Sequence, residues 1–494
     1  MIKYWKAWNA ISNCGFPIVS GENWFLGNLN ITKSCDTHRK LMQLTRKYGP
    51  IYGLMQGSHP VVVISDPKII HEICFKQFHI FHSRIMDPTG SHPDIANEVH
   101  QFAARGERWK RIRSLTSKAV SSENLRKFSE IMKDSIERFI LDLESEIIIS
   151  KALDLHARFQ RLTFDVITRC CMGRPYSCQH DDPNLKLLLN KFSPLQTFHA
   201  SFLFTWCIPD LKWIALIYEQ LCVRVQSFLH ITSDPIISYT SHLREIISRN
   251  ISDQECSSFL YFMKSVEDEK WKDWMVNADG PCDLSKVKII SKLTRGEIVN
   301  QCRFLTSAGF DTTANTATYL VYLLARYPKE QEKLWEEISI LDEFTFENVR
   351  YLNYLHCAIM ETLRLFPHAS LLQTRTCTQK CRIGTYTFRD GVGILFDTWT
   401  LHYDSKIWGE DVHKFHPDRF LFLHLTEAQR NSWMAFGAGP RQCIGMRFAV
   451  LEIKLLICHL MKKFQFHEYQ NTNKASFKSL KSNLLPIFMN TLQN

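Results

Sequence analysis

The sequence has no glycine-, serine- or proline-rich linker, no low-complexity tract and no internal repeat to divide its 494 residues. A string of small domains is therefore excluded and one large unit expected. The opening stretch Met1-Ile2-Lys3-Tyr4-Trp5-Lys6 has neither a run of about 18 apolar residues nor a secretory leader, so nothing there spans a bilayer. The 16 cysteines include no C-x-x-C pair and no zinc-like spacing with histidine; Cys170-Cys171 and Cys377/Cys381 are the only close pairs. A disulfide scaffold is not expected, and a reducing, cytosol-facing compartment fits best. No P-loop, dinucleotide fingerprint, H-E-x-x-H or G-x-S-x-G occurs, which leaves the chain without a recognisable nucleotide or flavin site of its own. Lys and Arg exceed Asp and Glu by ten (60 against 50). No run of five basic residues and no nucleic-acid motif accompanies that excess, so a diffuse basic face for an acidic partner is expected instead.

Apolar material is abundant, at 45% with 33 Phe, enough for a wide core around a bulky ligand. Apolar spacing near 3.6 predicts helices over 109–115, 125–149, 153–171, 293–327, 329–338, 351–365 and 448–464. Two β-rich runs, 51–54 and 60–65, flank Gln56-Gly57-Ser58-His59 and predict a hairpin, and short strand-like pieces recur over 381–396. The expected class is mainly α with small β-sheets. The aromatic stretch 192–228, with Phe198, Phe202, Phe204, Trp206, Trp213 and Tyr218, reads either as core packing or as a functional apolar surface.

Four sets of residues carry chemistry. In Phe436-Gly437-Ala438-Gly439-Pro440-Arg441-Gln442-Cys443-Ile444-Gly445 a glycine-punctuated loop delivers one cysteine to the start of an apolar helix. That setting suits a metal-bound thiolate, although a buried structural cysteine is an open alternative. Ala308-Gly309-Phe310-Asp311-Thr312-Thr313 sits in the middle of a long apolar helix, where Gly, Asp and Thr are all disfavoured. Such a local conflict marks a functional site, with a gap expected in the hydrogen-bond ladder, or else a polar packing kink. Glu361 and Arg364 share a helix face at i,i+3, a pair that any solvated helix can carry. Trp109 and Arg113 share another, where the tryptophan could equally be core.

With Phe436, Gly439, Arg441, Cys443 and Gly445 fitting F-x-x-G-x-R-x-C-x-G, and residues 308–313 fitting [A/G]-G-x-[D/E]-T-[T/S], the sequence resembles the cytochrome P450 family from about Gly27 to its end. The resemblance implies the cytochrome P450 fold, a long central helix over haem b with the cysteine loop beneath, as one domain over 27–494. Residues 1–26, with Phe16-Pro17 and then Leu26-Gly27-Asn28, would be the remnant of a hinge whose membrane anchor is absent. Cys443 would be the axial thiolate in the cradle of Phe436, Gly439 and Gly445. Trp109, Arg113, Arg441 and Arg375 would meet the propionates. Thr312 would deliver protons to the reacting oxygen, fed from solvent by Asp311. Glu361 and Arg364, joined by Arg419 of Pro417-Asp418-Arg419-Phe420, would form a buried structural clamp.

The function so implied is a haem-thiolate monooxygenase acting with O2 on a lipophilic small molecule. Electrons would come from NADPH through cytochrome P450 reductase, with cytochrome b5 as an optional second donor, docking on Lys110, Arg111, Arg441, Arg447 and Lys454. The substrate wall would comprise 84–104, the aromatic stretch, Ala369 to Leu372 and 483–487, with the aromatic stretch covering the entrance and dipping into a membrane surface. The place would be the cytosolic face of the endoplasmic reticulum. Phe366-Pro367 and the Leu-His-Tyr-Asp run at 401–404 lean toward the animal microsomal branch. Two rivals are a peroxide-rearranging isomerase, against which Asp311-Thr312 argues, and a haem-binding protein without turnover.

Overall fold

The structure, a computed structural model, describes the chain except residues 1, 13, 22–24, 33, 35, 87–91, 95, 150–153, 181, 192–204, 215–216, 219–220, 222–223, 226–234, 249–257, 269–279, 281, 286–289, 422–424, 469–486 and 492–494. The described residues are mainly helical, with one four-stranded sheet and two two-stranded ones among them. The elements that position the site are α1 (Ile2–Ile11), α2 (Thr37–Tyr48), β1 (Ile51–Gln56), β2 (His59–Ile64), α3 (Gly106–Ala119), α4 (Ser122–Ile149), α5 (Leu155–Met172), α6 (Arg295–Arg326), α7 (Asn353–Leu365), β3 (Thr374–Thr376), β4 (Cys381–Ile383), β5 (Tyr386–Phe388), β6 (Gly393–Phe396), α8 (Met446–Lys463), β7 (Phe464–Glu468) and β8 (Ile487–Thr491).

Helix α6 starts where a capping box forms: Thr294 accepts the Glu297 N–H and Glu297 reaches back to the Thr294 N–H. The same carboxylate, fully buried, takes Arg108 at 2.9 Å and Arg111 at 2.8 Å, which ties α3 to this helix. α5 packs along the middle of α6. Thr163 Oγ1 donates to the Phe310 carbonyl at 2.9 Å, and a Cβ on Gly309 would stand 3.1 Å from the Ile167 side chain. Gly309 therefore serves close helix packing. The helix runs unbroken through 308–313, so the expected gap in its ladder is absent. Thr312 and Thr313 bond back to the carbonyls of Ala308 and Gly309, both at 2.7 Å, a local contact that adds to the backbone ladder without displacing it.

The main sheet runs β1-β2-β6-β3, antiparallel, parallel and antiparallel in turn. Its hairpin turns at Gly57, whose φ of +59° a side chain would resist, and Ser58 N–H there meets the Trp206 carbonyl at 3.0 Å. Residues read as a hinge remnant lie on this sheet: Ile11 and Phe16 are buried, Gly53 N–H donates to Pro17 O and Val19 N–H to Gly53 O. Helices α1 and α2 fall outside the predicted set, and the predicted helix over 351–365 begins at Asn353 because Phe346–Arg350 forms a separate turn. Among the described residues no helix is long and apolar enough to cross a membrane.

Candidate active site

The loop before α8 is shaped by its glycines. Gly437 and Gly439 have φ of +78° and +67°, and a Cβ on Gly439 would lie 2.2 Å from the Cys74 carbonyl, so only glycine fits. The loop closes through Cys443 N–H on Phe436 O at 2.8 Å. Gly445 differs: its φ is −83°, and the only protein atom near a Cβ there would be Cys443 Sγ at 4.0 Å. The backbone does not demand glycine at this position. The space a side chain would fill belongs to the cavity.

That cavity encloses about 1550 Å³ when the open solvent at its mouth is included. α6 supplies one wall with Phe304, Ala308, Gly309, Thr312, Thr313 and Thr316; the loop supplies another with Phe436, Arg441, Gln442, Cys443 and Gly445. Cys443 is surrounded by protein yet keeps an accessible surface, because that surface is cavity wall. Burial pushes its thiol up, while the Gly445 N–H, Arg113, Arg84 and the Met446 N–H pull it down.

One end of the cavity gathers cations. Arg441 is buried and donates to the carbonyls of His82, Gln101, Phe102 and Ala104, with its guanidinium 4.7 Å from the Trp109 ring. Arg84 donates to Leu372 O and Arg441 O and lies 4.1 Å over Phe102, but its buried Nε has no partner among the described residues. Burial and Arg375 lower its pKa to about 9. Arg113 lines the cavity, and burial lowers it too. Arg375 does not line it; fully buried behind, it donates to Thr374 O and Ala438 O, and its Nε has no partner among the described residues. Among the described residues none of the four is ion-paired to a carboxylate; burial lowers all four, and the charges of neighbouring arginines lower Arg84 and Arg441 further. Buried guanidiniums without counter-charge call for an anionic ligand. A group with two carboxylates, a flat body and a metal that accepts a thiolate fits these residues and this volume; a haem is such a group. Arg84 carries no sequence signal of its own, since it stands in a loop without periodicity.

Thr312 lines the cavity but Asp311 does not. The Asp311 carboxylate faces α5, accepting from Gln160 at 2.7 Å and from Asn315 at 3.2 Å, and Asn315 Oδ1 meets His156 Nε2 at 3.0 Å.

Glu361, Arg364 and Arg419 come together. Arg364 is bidentate on Glu361 at 2.7 and 2.8 Å with both side chains fully buried, and Arg419 Nε adds 3.3 Å. His402, which sequence reasoning missed as a site residue, extends the cluster: its Nε2 accepts the Met434 N–H at 2.9 Å, two residues before Phe436. The expected basic dock is corrected. Arg111, Arg441 and Lys454 are buried, held by Glu297, by loop carbonyls, and by the carbonyls of Val349, Arg350 and Leu352. Lys110 is half-buried against the Leu284 carbonyl, and only Arg447 of the five is exposed. Their helical periodicity did not tell the inward from the outward face.

Phe198, Phe202, Phe204 and, of the substrate wall, residues 87–91, 95 and 483–486 lie outside the described residues. In the described part of the aromatic stretch Trp206 is buried on the hairpin, whereas Trp213, Ile214, Ile217, Tyr218, Leu221 and Val225 are exposed.

A sequence model of the family described as Cytochrome P450 matches residues 17–488. A Caenorhabditis elegans protein provisionally named cytochrome P450 CYP13A8 is 35% identical over 447 residues, 87% of this chain and 85% of the relative. Provisionally named CYP13A2 and CYP13A5 from the same organism are 33% and 31% identical, covering 91% and 88% of this chain and 87% and 84% of their own lengths.

Proposed function

Since the chain belongs to the cytochrome P450 family and is an oxidoreductase of the haem monooxygenase class, we propose that it inserts one oxygen atom of O2 into a lipophilic small molecule, with electrons from NADPH through a reductase. The observation that carries this reading is the Cys443 thiol open to a cavity that also holds unneutralised Arg84, Arg113 and Arg441 and the Thr312 hydroxyl. Held by the Cys443 thiolate, a haem supplies the activation of dioxygen. The chain's own residues supply the rest. Arg84, Arg113 and Arg441 with Trp109 bind the propionates, Gly445 leaves room beside the sulfur, and apolar walls keep bulk water out.

Thr312 holds a proton at Oγ1 for delivery into the cavity. Its hydrogen bond to the Ala308 carbonyl must open for that step. Asp311 recharges it from the α5 side, which requires its carboxylate to leave Gln160 or Asn315. The intact pair supports turnover over both peroxide rearrangement and mere haem storage.

A reductase, with cytochrome b5 as a second donor, would meet the protein near exposed Arg447. The exposed apolar residues between Trp213 and Val225 suit a membrane surface, and the cytosolic face of the endoplasmic reticulum is the corresponding place. The reduced, carbon-monoxide-treated protein tests the reading. A Soret band far to the red of an imidazole complex is expected, and it must vanish in Cys443→Ala; protein without porphyrin, or with an unchanged band in that variant, overturns it.

A further inference from the structure

Among the described residues His368 is the one imidazole on the cavity wall. Its own backbone pins it. The Phe366 carbonyl accepts both the His368 N–H at 2.9 Å and Nδ1 at 3.2 Å, and Phe366 is in turn stacked on Tyr319 with ring centroids 4.3 Å apart. A carbonyl can only accept, so the proton sits on Nδ1 and Nε2 is a bare lone pair. No other hydrogen-bond partner of this ring occurs among the described residues. Burial holds the ring neutral, outweighing the pull of Asp311.

The neighbouring wall has the same polarity. Thr312, Thr313 and Thr316 commit their hydroxyl protons to the carbonyls of Ala308, Gly309 and Thr312 at 2.7, 2.7 and 2.8 Å. While those bonds hold, it is their lone pairs that face a ligand. Pro367, Leu363, Ala369 and Leu372 add apolar surface to this side, which ends at the Gln373 amide. Among the donors of the site the arginines are matched to carboxylates, and the amides of Gln101, Gln373 and Gln442 are uncharged. A bare imidazole nitrogen in an otherwise apolar stretch of wall disfavours a ligand that turns only a lone pair toward it, because two lone pairs would then face each other dry.

Resting on the functional reading above, we infer that His368 Nε2 selects the substrate: a lipophilic molecule carrying a hydroxyl or N–H that donates to this nitrogen, in preference to the corresponding ether, ketone or hydrocarbon. His368 thereby orients the substrate by one fixed point while the apolar walls supply the affinity.

Three probes of one shape test this on the haem-loaded protein: biphenyl, 4-hydroxybiphenyl and 4-methoxybiphenyl, titrated by quenching of tryptophan fluorescence. The preference for the phenol over the methyl ether should fall about tenfold from the wild type to both His368→Phe and His368→Leu, the size of one net buried hydrogen bond. Biphenyl should bind all three proteins within about twofold, which also shows that the cavity is intact. A phenol preference that survives in either variant overturns the inference. Failure of the functional reading shows separately, as a missing thiolate Soret band in the wild type.

Discussion

Arg364 and His402 hold each other twice: Arg364 Nη1 donates to the His402 carbonyl at 2.8 Å, and His402 Nδ1 donates to the Arg364 carbonyl at 3.0 Å. With Nδ1 a donor, Nε2 accepts the Met434 N–H, so this neutral ring connects the buried Glu361 clamp to the chain that leads into the cysteine loop. Burial, then the Arg364 charge, lower its pKa to about 3. An unfolded histidine titrates near 6.5, so the unfolded chain takes up a proton that the folded one refuses. The contribution of His402 to stability is full above pH 6.5 and is lost as pH falls from there toward 3. Between pH 7 and pH 5 the wild type should lose about 2 kcal/mol more than His402→Gln in denaturant unfolding. Equal losses would remove His402 from this role.

Glu361→Gln should be far more damaging than a surface ion-pair deletion. Arg364 is fully buried and Arg419 nearly so, and both would be left with one negative partner fewer. Breaking a buried pair from one side costs about 3–5 kcal/mol. A fall in melting temperature of several degrees with loss of haem loading is expected. A variant as stable as the wild type contradicts the clamp.

The two loop glycines should fail differently. Gly439→Ala meets the Cys74 carbonyl at 2.2 Å on a backbone of φ +67°, so soluble yield and melting temperature should drop even without haem. Gly445→Ala has ordinary φ and open space, so the apoprotein should keep its melting temperature while haem retention falls. Haem titration beside apoprotein melting separates the cases. The reverse pattern would show that Gly445 is a backbone requirement.

What the sequence made legible was periodic or spaced: the long helices, the hairpin and the spacings around Cys443 and Thr312. Tertiary facts were not. Arg84 enters the cation cluster only because its loop is folded beside Arg441, and the burial of Arg111 and Lys454 depends on Glu297 and on three carbonyls distant in sequence. His402 stood in the Leu-His-Tyr-Asp run, yet its two ring partners lie 38 and 32 residues away. Gly309 reads as a helix weakness until Ile167 of α5 is seen against it.

Arg84→Met should weaken haem binding without unfolding the protein. Its guanidinium sits half-buried at the cavity wall with no carboxylate partner among the described residues, so before haem binds the charge is a burden, and replacing it by an apolar chain of similar length relieves that burden. Haem transfer to apomyoglobin should run about tenfold faster in the variant, the effect of losing one charge-assisted bond, with Arg84→Lys intermediate. An unchanged transfer rate would take Arg84 out of the propionate site.

Thr312→Ala separates proton delivery from binding. The hydroxyl lines the cavity and bonds only to the Ala308 carbonyl, so its loss leaves no buried partner stranded beyond one helix carbonyl already in the ladder, and stability should change by no more than about 1 kcal/mol. Substrate binding should persist, since the walls are apolar. NADPH consumption by the reductase-coupled protein should continue, while product per NADPH falls about tenfold or more, within the range of losing one positioned proton donor. Gln160→Leu attacks the same route from the far side, freeing one oxygen of Asp311 that now accepts at 2.7 Å. If the tether restrains proton delivery, this variant should raise or preserve coupling where Thr312→Ala lowers it. Unaltered product yield in Thr312→Ala would mean that protons reach the cavity by another path.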